Sequence, residues 1–91
     1  MHIFELRSFN QKDCFRLDHF GSERDAMEKF RLFRDNTIKA HAALQEAGLP
    51  SDCLATEMSL VMYDDENAHV FANIAGWQLS RDADGFVIGS R

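Results

Sequence analysis

A single long amphipathic helix with clear start and stop signals is the feature that most constrains this fold. Ser22 is followed three residues later by Asp25, an arrangement close to the capping box that begins many helices. Gly48 and Pro50 lie where a left-handed cap and a helix stop belong. Between these signals, small and apolar residues recur at steps of three and four: Ala26, Phe30, Phe33, Thr37, Ala40, Leu44 and Ala47. The pattern predicts a helix over 23–47 with one face against a core.

Period-two alternation of apolar and polar residues predicts five strands around that helix. The predicted strands lie at about residues 2–9, 14–20, 57–62, 68–80 and 86–88. The order is ββαβββ and the fold class is α+β, with one mostly antiparallel sheet and a single long helix packed on one face. A chain of 91 residues is expected to form one domain over 1–91.

The fourth strand contains a change of phase near Gly76. Its inward set moves from the even-numbered positions of 70–74 to Trp77 and Leu79. A β-bulge or a sharp bend at Gly76 accounts for this change. A loop that splits the segment into two strands accounts for it equally well.

The sheet face opposite the helix is also expected to be apolar. Large apolar side chains fall on the opposite phase from the inward sets: Phe9, Phe20, Val61, Phe71 and Val87. One helix covers only one face of a sheet, and this set is too large for a bare solvent face. We therefore expect these residues to form an oligomer face, with a homodimer as the simplest assembly.

The net charge of −5 is confined to the second half of the chain. Residues 1–48 hold eight acidic and eight basic side chains, whereas residues 49–91 hold seven acidic and two basic ones. Phosphate contacts need clustered Lys and Arg, so direct nucleic-acid binding is not expected. Two acidic turns instead predict contact with a basic protein surface, at Tyr63, Asp64, Asp65 and Glu66, and at Asp82 and Asp84. The first turn is favoured because Tyr63 adds an aromatic anchor.

The sequence offers little catalytic or metal-binding chemistry. Cys14 and Cys53 are the only cysteines, without a Cys-x-x-Cys pair, and two reduced thiols are expected. The histidines are not accompanied by a recognised nucleophile motif, and His41 is expected at the edge of the helix stripe with its polar tip outward. The glycines are isolated, so no phosphate-binding loop is present. We expect no enzyme activity, no metal and no cofactor.

These observations favour a non-enzymatic acidic module that binds a protein, such as a phage-type inhibitor or an immunity-like protein that blocks a basic surface of its partner. The absence of a long apolar run or a secretory signal favours a cytoplasmic location, that of the host cell if the chain is phage-encoded, and no membrane contact. One alternative is a dimeric α+β domain with a small apolar ligand or a simple active site, lined by Met58, Met62, His69, Phe71 and Trp77. Another is a subunit of a larger, virion-type assembly.

Overall fold

The computed structural model describes residues 2–10, 14–64, 66 and 69–88, with the backbone alone described for residues 2, 14–20, 64 and 69–71. The described residues form four strands and one helix. The strands form one antiparallel sheet in which the first strand lies between the second and third. The predicted α+β class, with one long helix against an antiparallel sheet, is confirmed. The elements are β1 (His2–Phe9), β2 (Cys14–Phe20), α1 (Glu23–Glu46), β3 (Glu57–Asp64) and β4 (His69–Gln78), and the sheet order is β2-β1-β3-β4.

Both predicted helix ends are confirmed by their hydrogen bonds. The Ser22 hydroxyl oxygen accepts from the Asp25 backbone N–H at 3.2 Å, which satisfies one of the amides left unpaired by the first turn. At the other end, Gly48 has a φ of 71° and donates to the Gln45 carbonyl, while Leu49 donates to the Leu44 carbonyl. This pair of bonds is the Schellman motif, which requires a left-handed residue at Gly48.

The core lies between the sheet and the first half of α1. Leu6, Leu60 and Ala75 follow one another across β1, β3 and β4, and Met58 lies opposite Trp77. Ala26 and Phe30 of the helix complete the buried cluster, and no member of it is more than 6% exposed: Leu6, Ala26, Phe30, Met58, Leu60 and Trp77. Burial of these side chains is the main force that holds α1 on the sheet.

The phase change predicted for the fourth strand is present, but it lies at Ile74. Leu60 pairs with Ala75 and Val61 pairs with Asn73, so Ile74 is an extra residue in β4. A bulge of this kind moves the inward set by one position. Gly76 itself pairs with Ser59 within a continuous strand, so the bulge is not at Gly76 and the alternative of a splitting loop is wrong.

The predicted fifth strand over 86–88 is wrong, because the described part of this segment makes only a single bridge, between Arg81 and Val87. The Asp82 carboxylate accepts the N–H groups of Asp84 and Phe86, which closes a tight turn. The Val87 N–H donates to the side chain of Gln45, while the Ile88 N–H donates to the Ser80 carbonyl at 2.9 Å. The segment is therefore held both by the residues that follow β4 and by the helix.

The helix is longer than most of the sheet beneath it. Its 24 residues span about 36 Å, whereas the 8 residues of β1 span about 27 Å. The buried residues in its first half are Ala26 and Phe30, and the one in its second half is His41. The second half therefore lies against other segments, the loop over 51–56 and the turn over 82–87.

A glycine comparison tests the left-handed cap. We expect Gly48→Ala to lower the free energy of unfolding by about 1 kcal/mol, because the positive φ strains any L side chain. The added Cβ would meet nothing within 4 Å, so the cost comes from the backbone alone. Gly76→Ala is the control, since its nearest neighbour would be the Met58 carbonyl at 3.9 Å and its φ is not positive. Urea unfolding of both variants checks this, and equal midpoints would contradict the cap.

Candidate functional site

The two predicted acidic clusters lie at opposite ends of β4. Glu66 is exposed in the turn before the strand, and Tyr63 is half-buried on β3. Asp64 ends β3 with its backbone alone described, and Asp65 lies outside the described residues. Asp82 and Asp84 are exposed beyond the other end, and the 10 residues between span about 33 Å. One contact surface of ordinary size cannot be centred on both clusters.

The structure describes the predicted oligomer face only in part. Val61 is 3% exposed, and its register neighbour Glu5 is 1% exposed and forms an ion pair with Arg7. Val87 lies beside the helix, Phe9 is half-buried, and the side chains of Phe20 and Phe71 lie outside the description. The homodimer stays a prediction.

His41 is buried, so the prediction of an outward polar tip is wrong. Its side chain is 1% exposed, with Nε2 2.7 Å from the Ala55 carbonyl oxygen and Nδ1 3.0 Å from the Ser51 hydroxyl oxygen. A carbonyl only accepts, so Nε2 carries the proton in that bond. His41 thus joins the helix to the loop that leads into β3.

One helical turn later, Gln45 makes the same kind of connection to the C-terminal turn. Its amide nitrogen donates to the Gly85 carbonyl at 2.7 Å, and its amide oxygen accepts the Val87 N–H at 3.0 Å. The side-chain amide therefore pairs with the residues on both sides of Phe86, as the backbone of an adjacent strand would.

The backbone around Phe86 is held by the protein itself. The Phe86 N–H donates to the Asp82 carboxylate and its carbonyl accepts the Asp82 N–H, both at 2.9 Å. The Gly85 N–H donates to the Asp82 carbonyl, and Arg81 adds a second donor to the Gly85 carbonyl. Gly85 has a φ of 85°, as expected for the glycine of this turn. Every one of these bonds fixes the position from which the ring projects.

The ring of Phe86 is nevertheless 60% exposed. It borders a groove of about 250 Å³ between the helix and the turn, lined by Ala42, Gln45, Glu46, Phe86 and Val87. Glu46 and Asp84 are exposed beside it, and we call Glu46, Asp84 and Phe86 the Phe86 surface. The last helical turn has no basic residue, so the negative end of the helix dipole adds to these charges.

A second, wider groove of about 740 Å³ runs along β4, over residues 73–78 and the facing residues 57–59. Met58 and Trp77, which were predicted to line a ligand pocket, are 1% and 6% exposed and form part of the core. Both residues nevertheless border this groove, and the ligand pocket stays a prediction. Glu57 is the one ionisable residue that lines this groove.

The described part of the chain holds no group of three or more His, Cys, Asp or Glu side chains placed to bind a metal ion. Cys53 is an exposed free thiol. No helix among the described residues has the length and apolar character to cross a bilayer.

Comparison with known proteins adds no relative, because no family model, curated protein or solved structure matches the chain.

The Phe86 surface includes Asp84 from the predicted acidic turn, whereas the sequence analysis missed the roles of His41, Gln45 and Phe86. Gln45 and His41 follow the spacing of the helix stripe from Phe30, which was the available signal.

Replacement of His41 tests its role in the loop connection. We expect His41→Ala to lower the free energy of unfolding by about 2–4 kcal/mol, because it leaves a cavity and a buried carbonyl without its donor. His41→Phe retains most of the volume, loses both bonds and is expected to remain destabilised. Lys39→Ala, on an exposed position of the same helix, is the control and should change stability by less than about 0.5 kcal/mol. Urea unfolding of the three variants decides, and a wild-type midpoint for His41→Ala would contradict the role.

Amide exchange tests the contact between Gln45 and the turn. We expect Gln45→Ala to accelerate hydrogen exchange of the Val87 amide, which loses its acceptor. The Asp84 amide is the internal control, because its acceptor is the Asp82 carboxylate and not Gln45. Exchange measured by NMR separates the two positions. Unchanged protection at Val87 would show that Gln45 does not hold the turn.

Proposed function

We propose that this chain is a non-enzymatic module that binds a basic surface of a partner protein through the Phe86 surface. The observation that carries this proposal is the exposed ring of Phe86 on a backbone whose polar groups are bonded within the protein. A biological role as an inhibitor or an immunity-like protein, in the cytoplasm, belongs to the same proposal. The exposed free thiol of Cys53 fits a reducing compartment.

A fixed turn with an exposed aromatic ring suits a binding anchor. Ordering a loop on binding costs conformational entropy, and a loop that is already ordered avoids that cost. Aromatic side chains that fill a partner's pocket are also common hot spots. The fold gains little from this ring, since more than half of its surface remains in water.

The charge beside the ring supports a basic partner. Glu46 and Asp84 are exposed, and the negative end of the helix dipole lies at the same end of α1. Such charges steer a basic surface toward the site and repel phosphates. Asp82 differs from them, because its carboxylate is engaged in the turn.

The other acidic turn is a weaker candidate for the anchor. The sequence favoured the turn at 64–66 because of Tyr63, but Tyr63 is half-buried and already makes contacts. The Phe86 surface offers both the charge and an exposed ring. The proposal therefore places the main contact at the C-terminal turn.

Binding kinetics test the proposal once a partner has been captured from a lysate of the cells that make the protein. We expect Phe86→Ala to weaken binding by about 2 kcal/mol, mainly through faster dissociation. We expect Glu46→Lys combined with Asp84→Lys to slow association and flatten its dependence on salt, with a smaller effect on dissociation.

Two matched controls accompany these variants. Leu32→Ala removes another exposed apolar side chain, 49% exposed on the helix, and should leave binding unchanged. Glu28→Lys reverses an exposed charge in the first half of the same helix. A binding affinity that changes neither with Phe86→Ala nor with salt concentration would contradict the proposal.

A further inference from the structure

We propose that the groove beside Phe86 receives the side chain of an arginine from the partner. This inference rests on the proposed function and specifies what the Phe86 surface recognises. The groove has a volume of about 250 Å³ and lies between the second half of α1 and the C-terminal turn. Its lining combines a small residue, an amide, a carboxylate and an aromatic ring.

The apolar residues that line the groove suit a methylene chain. Ala42 contributes only a methyl group, and the Val87 side chain is apolar. Gln45 is polar, but both ends of its amide are already bonded to the turn. Ala42 and Val87 can therefore contact the apolar stem of a long cationic side chain.

Two other lining residues, Glu46 and Phe86, suit a planar cation. Both line the groove, one with an exposed carboxylate and the other with an exposed ring. A guanidinium group bonds a carboxylate through two parallel N–H donors and stacks on an aromatic face, whereas an ammonium group does neither as well. Arginine is thus favoured over lysine by the chemistry of both walls.

The local charge also favours a cation. No basic side chain in the described part of the chain pairs with Glu46, and the last helical turn contains none. Arg81 is the basic residue nearest in sequence, and its guanidinium donates to the Gly85 carbonyl. Asp82 and Asp84 belong to the same turn, so its acidic side chains outnumber this one basic side chain.

A peptide titration followed by NMR tests the arginine site. The probe is acetyl-Gly-Arg-Gly-amide, and the control is the same peptide with citrulline, which has the shape of arginine without its charge. We expect saturable shifts of the amides over 42–46 and 85–87, with the citrulline peptide at least about tenfold weaker. The lysine peptide should bind about threefold more weakly than the arginine peptide. No saturable shift, or equal shifts with citrulline or lysine, would overturn the inference.

A pair of isosteric variants locates the cation. Glu46→Gln should weaken the arginine peptide at least about fivefold, because it removes the carboxylate and retains the volume. Glu28→Gln makes the same change on the same helix, about 27 Å away along its axis, and should leave the titration unchanged. Equal affinity for the two variants would remove Glu46 from the site and overturn the inference.

The two proposals fail in different ways. If the partner's binding depends on Phe86 but the peptide does not bind, the arginine site is wrong and the proposed function stands. If the peptide binds but no captured partner depends on Phe86, the proposed function is wrong and the cation site stands.

Discussion

The second half of α1 extends beyond the core that holds the first half. Hydrogen bonds from two polar side chains, those of His41 and Gln45, hold this part of the helix in place of core packing. An isolated helix of this length gains most of its stability from a packed face, not from propensity. Phe30 supplies that face against the sheet, whereas His41 and Gln45 form hydrogen bonds with segments outside the four strands. Their hydrogen bonds attach the loop over 51–56 and the turn over 82–87 to the helix. The rest of the architecture follows from these attachments, since both segments border the sheet.

The contact that completes the helix also shapes the candidate site. Gln45 bonds the residues on both sides of Phe86, and Asp82 bonds Phe86 itself. The same bonds that direct the chain toward the helix therefore hold the aromatic ring outward. In the proposed function, stability and binding are linked through Gln45, whereas Asp84 and Glu46 contribute charge from exposed positions.

The sequence predicts the features that depend on local pattern. Ser22 and Gly48 mark the helix because caps need particular side chains at fixed positions, and the phase change in β4 is visible because strands have a period of two. The prediction of a fifth strand was wrong because 86–88 has a strand-like local pattern, while the described segment makes one bridge and its Val87 N–H bonds the side chain of Gln45, more than 40 residues earlier. The burial of His41 likewise depends on hydrogen-bond partners that no sequence period reveals.

The different roles of the acidic side chains are the feature that is hardest to predict from the sequence. Asp82 and Asp84 look equivalent in a turn of composition Asp-Ala-Asp-Gly, yet one carboxylate accepts two backbone N–H groups and the other projects into water. Reversal of Asp82 would therefore change the turn and the ring together, and a loss of binding would not identify a charge effect. Reversal of the charge at Asp84 changes the local electrostatic field without removing a hydrogen bond of the turn. A charge count along the chain locates a surface, but only the hydrogen bonds separate the charges that build it from those that a partner meets.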